Sequence, residues 1–198
     1  VGESAERSYL NGSVLEAEGG KQAVGANEGH RLAFASATLD VEVPEQKVIL
    51  PRRTVRELKR LLSNDEGAIE LQFANSQAKF GFGGMEFVTK LVEGKFPDYN
   101  RVIPKNHRNS VTLGRATLLA SLQRTAILTS DKFKGVRLNI EPGTLRIASS
   151  NAEQEEAVDE LDIDYGGDTI EMGVNVTYLI DALANIQQDM VKLELADA

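Results

Sequence analysis

The densest chemistry in this sequence is a run of cations, Arg52, Arg53, Arg56, Lys59 and Arg60, interrupted by a single acid, Glu57. Pro51 suits the first turn of a helix, and helical spacing places Val55, Leu58, Leu61 and Leu62 on one apolar stripe. The opposite face then shows Arg53, Arg56 and Arg60, flanked by Arg52 and Lys59. A guanidinium-rich face suits a row of phosphates. No aromatic residue interleaves to stack on bases, and no Asn or Gln alternates with the cations to read them. The expected contact is independent of sequence and sensitive to salt. An ordinary solvated helix face is the competing reading.

Other chemistry is sparse. The two histidines are His30 and His107. His107 stands among Lys105, Asn106 and Arg108 and reads as a solvated loop residue. His30 follows Glu28 and Gly29, an acid–base pairing in principle, but a second metal ligand and a nucleophile at matching spacing are both missing. A His packed at a sheet edge, or touching a peptide, is the expected role; a hydrolase using His30 is the weakest alternative. Gly81, Gly83 and Gly84 lie between strand residues with no helix after them, so they read as a hairpin turn and not as a phosphate loop. With no cysteine, there is no disulfide framework and no thiolate chemistry. No metal site, no cofactor and no enzymatic activity are expected.

Positioning these residues requires about two modules. The chain has 198 residues, 41% of them apolar, enough for one large domain or two small ones. A net charge of −8 hides opposed fields, because the run of Glu153, Glu155, Glu156, Asp159, Glu160, Asp162 and Asp164 holds seven acids and no base. That run lacks the alternation and central Gly of a calcium loop, and reads as a solvated edge or a dock for a basic partner. An offset of 123 brings Gly12 onto Gly135, Leu15 onto Leu138, Gly20 onto Gly143 and the basic segment onto residues 171–185. Each copy then reads as two short strands joined by a Gly turn, a polar excursion, a further strand and an amphipathic helix. Residues 111–128 open the second copy with a strand and a helix bearing Leu118, Leu119, Leu122 and Ala126, while the first copy runs on through strands the second lacks. The chain therefore reads as starting inside one module and ending inside the next, joined by a linker at 103–110. The fold class is α+β, largely antiparallel. No signal pattern and no apolar run of roughly 18 residues is present, so a soluble cytoplasmic protein is expected.

Several strings carry a resemblance: Tyr9-Leu10-Asn11-Gly12, Gly29-His30-Arg31-Leu32-Ala33, Val48-Ile49-Leu50-Pro51-Arg52 and, most specifically, residues 90–99, KLVEGKFPDY, continuing through Arg101, Val102, Pro104 and Lys105. Residues 132–138, KFKGVRL, and 151–157, NAEQEEA, add to them. Together, over essentially the whole chain, they resemble the bacterial DNA sliding clamp family, the beta subunits of DNA polymerase III. The resemblance implies the DNA clamp fold, with repeated modules of antiparallel sheet and helices packed on one face. Residues 1–105 would be the second module without its first strand and most of its first helix. Residues 106–198 would be the third without its C-terminal strands.

The same resemblance implies a processivity factor, not a catalyst: a homodimeric ring that encircles duplex DNA at the bacterial replication fork without reading it. Arg52, Arg53, Arg56, Lys59 and Arg60 would face the DNA, with Tyr9 close by. A pocket taking linear peptide motifs from the polymerase III catalytic subunit, the clamp loader and repair polymerases would have Arg7, Leu10, Asn27, Gly29, His30, Arg31 and Leu32 on one wall. Pro97, Arg101 and Val102 would stand opposite. Asn27-Glu28 departs from the family's usual Thr-Asp. Ile127, Leu128, Glu153, Glu155 and Glu156 resemble the surface that meets the other protomer. No membrane contact is implied. A peptide-binding scaffold that does not engage DNA is the main alternative.

Overall fold

The computed structural model describes residues 7–196. They form two compact units, divided between Ile103 and Pro104.

In the second unit the strand period is plain. Strands β7 (Gly135–Glu141) and β8 (Thr144–Ser150) alternate strictly, sending Val136, Leu138, Ile140, Leu145 and Ile147 inward. They meet at Pro142-Gly143, where Gly143 supplies the positive φ of +82° that a tight hairpin needs. β9 (Glu156–Asp162) and β10 (Ile170–Asn175) complete an antiparallel sheet in the order β10-β7-β8-β9. Helices α2 (Arg115–Ala126) and α3 (Val176–Ala184) cover its inner face through Leu118, Leu122, Val176 and Leu183. β6 (Asn109–Gly114) and β11 (Met190–Leu195) pair beside them. On α2 the expected stripe packs inward, joined by Ser121 and Thr125, whose hydroxyl turns back to the Ser121 and Leu122 carbonyls.

The first unit has a long β1 (Gly12–Asn27) paired with β2 (Leu32–Pro51), then α1 (Arg52–Leu62) and a sheet of β3 (Glu70–Phe73), β4 (Gln77–Phe82) and β5 (Met85–Lys90). Gly83-Gly84 makes the β4–β5 turn. Strand β1 is not straight. Val14 and Gly25 would lie about 36 Å apart on a straight strand at about 3.3 Å per residue. Yet a Cβ built on Gly25 would stand 3.2 Å from Val14 Cγ1. The chain doubles back at Gly19, where φ is +57°, and the pairing register breaks on both sides of it. Subtracting 123 maps β7 and β8 onto the two arms of β1, β9 and β10 onto the two arms of β2, and α3 onto α1. Gly12 pairs with Pro51 where Gly135 pairs with Asn175, a match to within one residue.

The structure corrects two local readings. The polar excursion of the second copy contains a full strand, β9, within the acidic run. The expected linker at 103–110 is shorter, since β6 begins at Asn109, opposite Leu195.

Candidate nucleic-acid interface and peptide-binding surface

Helix α1 is fixed by one face. Leu58 is buried, and Val55, Leu61 and Leu62 pack on a cluster of Leu15, Leu50, Ala78, Phe80 and Phe82. Thr54 is buried as well, its hydroxyl 2.6 Å from that of Thr89 on β5. A polar pair in an apolar site holds only if each partner satisfies the other, so the pair fixes the rotation of α1. Arg53, Arg56, Lys59 and Arg60 are therefore exposed and Arg52 half-buried. Arg60 is tied to Glu57 at 3.0 Å. Among the described residues Arg53, Arg56 and Lys59 have no ion pair. No acid occupies the first turn, where Arg52 and Arg53 stand. The helix dipole disfavours cations there, so these side chains raise a positive field at a cost in stability. Tyr9 lies in a short 3-10 turn (Ser8–Asn11) and packs on the cluster of Leu10, Val14, Ile49, Phe96 and Tyr99. No described contact joins it to the α1 cations.

That cluster also carries the expected peptide wall. Leu10 is buried in it and Leu32 packs against it. The turn between β1 and β2 is built by local bonds. Asn27 Oδ1 accepts from the Gly29 amide at 2.7 Å, Gly29 has a φ of +97°, and the Glu28 amide donates to the Arg31 carbonyl at 3.2 Å. Asn27 thus holds the turn, and is itself only 9% exposed. The Arg31 guanidinium reaches Glu28 Oε1 at 2.6 Å, and its hydrogen bond holds the Glu28 carboxyl below its usual range. Arg31 is therefore committed to Glu28, and the Asn27-Glu28 departure keeps a working turn. Opposite in sequence, Phe96 anchors Pro97, and Asp98 caps the turn Tyr99–Arg101 by accepting from the Asn100 amide at 3.1 Å. Arg101 and Val102 are exposed, as are Arg7, Gly29 and His30. Segments 27–32 and 97–102 thus rest on one core.

In the second unit, Ile127 stands 78% exposed just past α2, with Leu128 half-buried beside it. Glu153, Glu155 and Glu156 are exposed, and Asn151 ties Glu155 through its side chain and backbone at 2.6 and 2.9 Å. Phe133 is 72% exposed beneath the Lys132 ammonium, and sequence reasoning gave it no role of its own. His107 is not a free loop residue: its Nε2 lies 2.9 Å from Glu194 Oε2 on β11. Among the described residues no group of three or more His, Asp and Glu side chains is placed to hold a metal.

β9 is secured to α2 by the Arg124 guanidinium on Asp159 (Nε to Oδ2, 3.0 Å). Arg124, with a smaller contribution from Ser121, holds the Asp159 carboxyl below its usual range. A depressed pKa contributes stability above the carboxyl's unfolded pKa, and that stability is lost as pH falls through the folded one. The second unit is therefore expected to lose stability on acidification below about pH 4, with Asp159→Asn flattening that part of the profile. Chemical denaturation across that range, in wild type and variant, checks it; parallel profiles would remove the pair from the account.

Comparison with known proteins shows the family to which these two units belong. The family described as DNA polymerase III beta subunit, central domain, matches residues 1–98, and the C-terminal domain of the same subunit matches residues 100–198. The beta sliding clamp of Salmonella typhimurium is 41% identical over 192 residues, covering 97% of this chain and 52% of the relative. The DNA polymerase III subunit beta of Pseudomonas aeruginosa superposes with a TM-score of 0.95 at 38% identity, over 100% of this chain and 55% of that one. A P. aeruginosa clamp bound to griselimycin gives 0.94, also at 38%, over 100% of this chain and 54% of that one. The fold is that of the sliding clamps, antiparallel sheets with helices on one face. The chain belongs to the DNA polymerase III beta subunit family. It spans about half the length of the curated relatives it matches.

Proposed function

We propose that this chain supplies two modules of a DNA sliding clamp, a non-catalytic processivity factor that holds a replicative polymerase to duplex DNA by encirclement. The observation that carries the reading is the exposed strip of Arg53, Arg56 and Lys59, which have no ion pair among the described residues, on a helix whose other face is locked into a core. In a protein of net charge −8, such a strip suits a polyanion it touches without reading. Ile127, Leu128 and the acids Glu153, Glu155 and Glu156 form the surface toward a second protomer. The exposed residues of segments 27–32 and 97–102, with Arg7 and the apolar support of Leu10 and Leu32, take linear peptide motifs. The bearers of those motifs are the polymerase III catalytic subunit, the clamp loader and repair polymerases. The griselimycin complex of the P. aeruginosa clamp supports a ligand pocket in this family. The setting is the bacterial cytoplasm at the replication fork.

Topology provides the test. A complete three-module clamp carrying this chain is loaded on a nicked circular duplex and passed through gel filtration. Retention on the circle and loss after linearisation is the expected result. Equal retention on both forms indicates ordinary binding and refutes encirclement.

A further inference from the structure

Where β1 doubles back, a cleft of about 600 Å³ opens beside segment 97–102, whose Asp98 and Asn100 form part of its edge. We propose that it binds an organic cation, the guanidinium or primary ammonium of a basic polypeptide segment, on the ring of Phe34. The inference stands apart from the clamp reading, since Phe34, Glu18, Glu45 and Lys21, which carry it, have no role there.

The floor is aromatic. Phe34 and Tyr99 lie 5.0 Å apart between ring centroids, tilted by 38°. Phe34, opposite Gly25, is 40% exposed, whereas Tyr99 is 7% exposed. The Tyr99 hydroxyl donates to Glu16 Oε2 at 2.5 Å, and Lys47 reaches Glu16 Oε1 at 3.2 Å. Burial, and then this bond to Glu16, push the Tyr99 hydroxyl up to about 12. Tyr99 and Glu16 are therefore a fixed wall, which leaves the exposed Phe34 face as the receptive surface.

The rim is anionic. Glu18 and Glu45 line the cleft and are exposed, and neither has an ion pair among the described residues. Each is the next residue along its strand from the Ala17–Gln46 pair, at the register break, which puts two like charges on one edge of the cleft. Like charges placed together across strands destabilise the pair, and an incoming cation removes that repulsion. The cleft already shows its preference, because the Lys21 ammonium sits 5.8 Å over the Phe34 ring. An aromatic face attracts a cation through its quadrupole, guanidinium more often than ammonium. Lys21 is the resident occupant that an arginine from outside replaces.

The probes are acetyl-Gly-Arg-Gly-amide, agmatine and acetyl-Gly-Glu-Gly-amide, each titrated into the isotope-labelled chain and followed by NMR. Saturable shifts centred on Phe34, Glu18 and Glu45 are expected with the Arg peptide and absent with the Glu peptide. Phe34→Leu, at a half-exposed site, is expected to weaken binding at least about fivefold. Lys21→Met removes the competing ammonium and is expected to tighten it at least about threefold. A merely structural Lys21 would not produce that gain. No saturable shift in either wild type or Lys21→Met, or equal affinity in Phe34→Leu, overturns the site. Agmatine binding as tightly as the peptide overturns the polypeptide source.

Discussion

Reversing three charges, Arg53→Glu, Arg56→Glu and Lys59→Glu, is expected to remove most of the affinity for duplex DNA while leaving the fold intact. Each phosphate neutralised contributes a slope of about −0.9 in log affinity against log salt. Loss of three such contacts should flatten the slope by about 3 and lower affinity roughly a hundredfold or more near about 0.1 M salt. Fluorescence anisotropy over a salt series checks both quantities. The same variant carries a second expectation of opposite sign. Arg53 stands in the first turn of α1, where an acid is favoured by roughly 0.3–1 kcal/mol. Arg53→Glu alone should thus raise stability toward denaturant as it weakens binding. An unchanged slope in the triple variant would take the α1 face out of the DNA contact.

The second large effect is steric. A Cβ on Gly12 would lie 2.3 Å from the Leu50 carbonyl oxygen and 2.7 Å from Ile49 Cγ2. The first is backbone, held in the β1–β2 ladder one residue before Pro51, which leads into α1. Gly12→Ala is expected to destabilise the first unit by about 3 kcal/mol, since an overpacked site with a rigid neighbour must move the strand. DNA binding should weaken with it, because the displaced strand sets the start of the basic helix. Urea denaturation and the anisotropy series report the two losses together. A fully stable Gly12→Ala would mean that β2 yields more easily than its ladder indicates.

Much of this was legible in the residues. The α1 stripe of Val55, Leu58, Leu61 and Leu62 follows from period alone, as does the Gly83-Gly84 hairpin. The repeat was visible because the same order of elements recurs at one offset. Thr54 was not legible as a core residue, because its burial depends on a hydroxyl 35 positions away on β5. β9 was hidden for a related reason. Its half-buried side carries Asp159 between Ala157 and Leu161, which breaks the apolar alternation, and the Arg124 guanidinium on α2 is what chiefly makes that position tolerable. The family resemblance supplied Asn27 and Arg31 as wall residues; their engagement with Gly29 and Glu28 appears only in three dimensions.

β9 ends its sheet, so within the second unit one side of its main chain lacks a neighbour. A bare flank of that kind ordinarily invites aggregation. Here Glu156, Glu160 and Asp162 are exposed along it, with Val158 among them and Glu160 4.0 Å from Arg146. Two identical molecules approaching flank to flank would bring these carboxylates together, which opposes strand-to-strand association. Resistance to clumping is the expected consequence, and neutralising these carboxylates is expected to remove it.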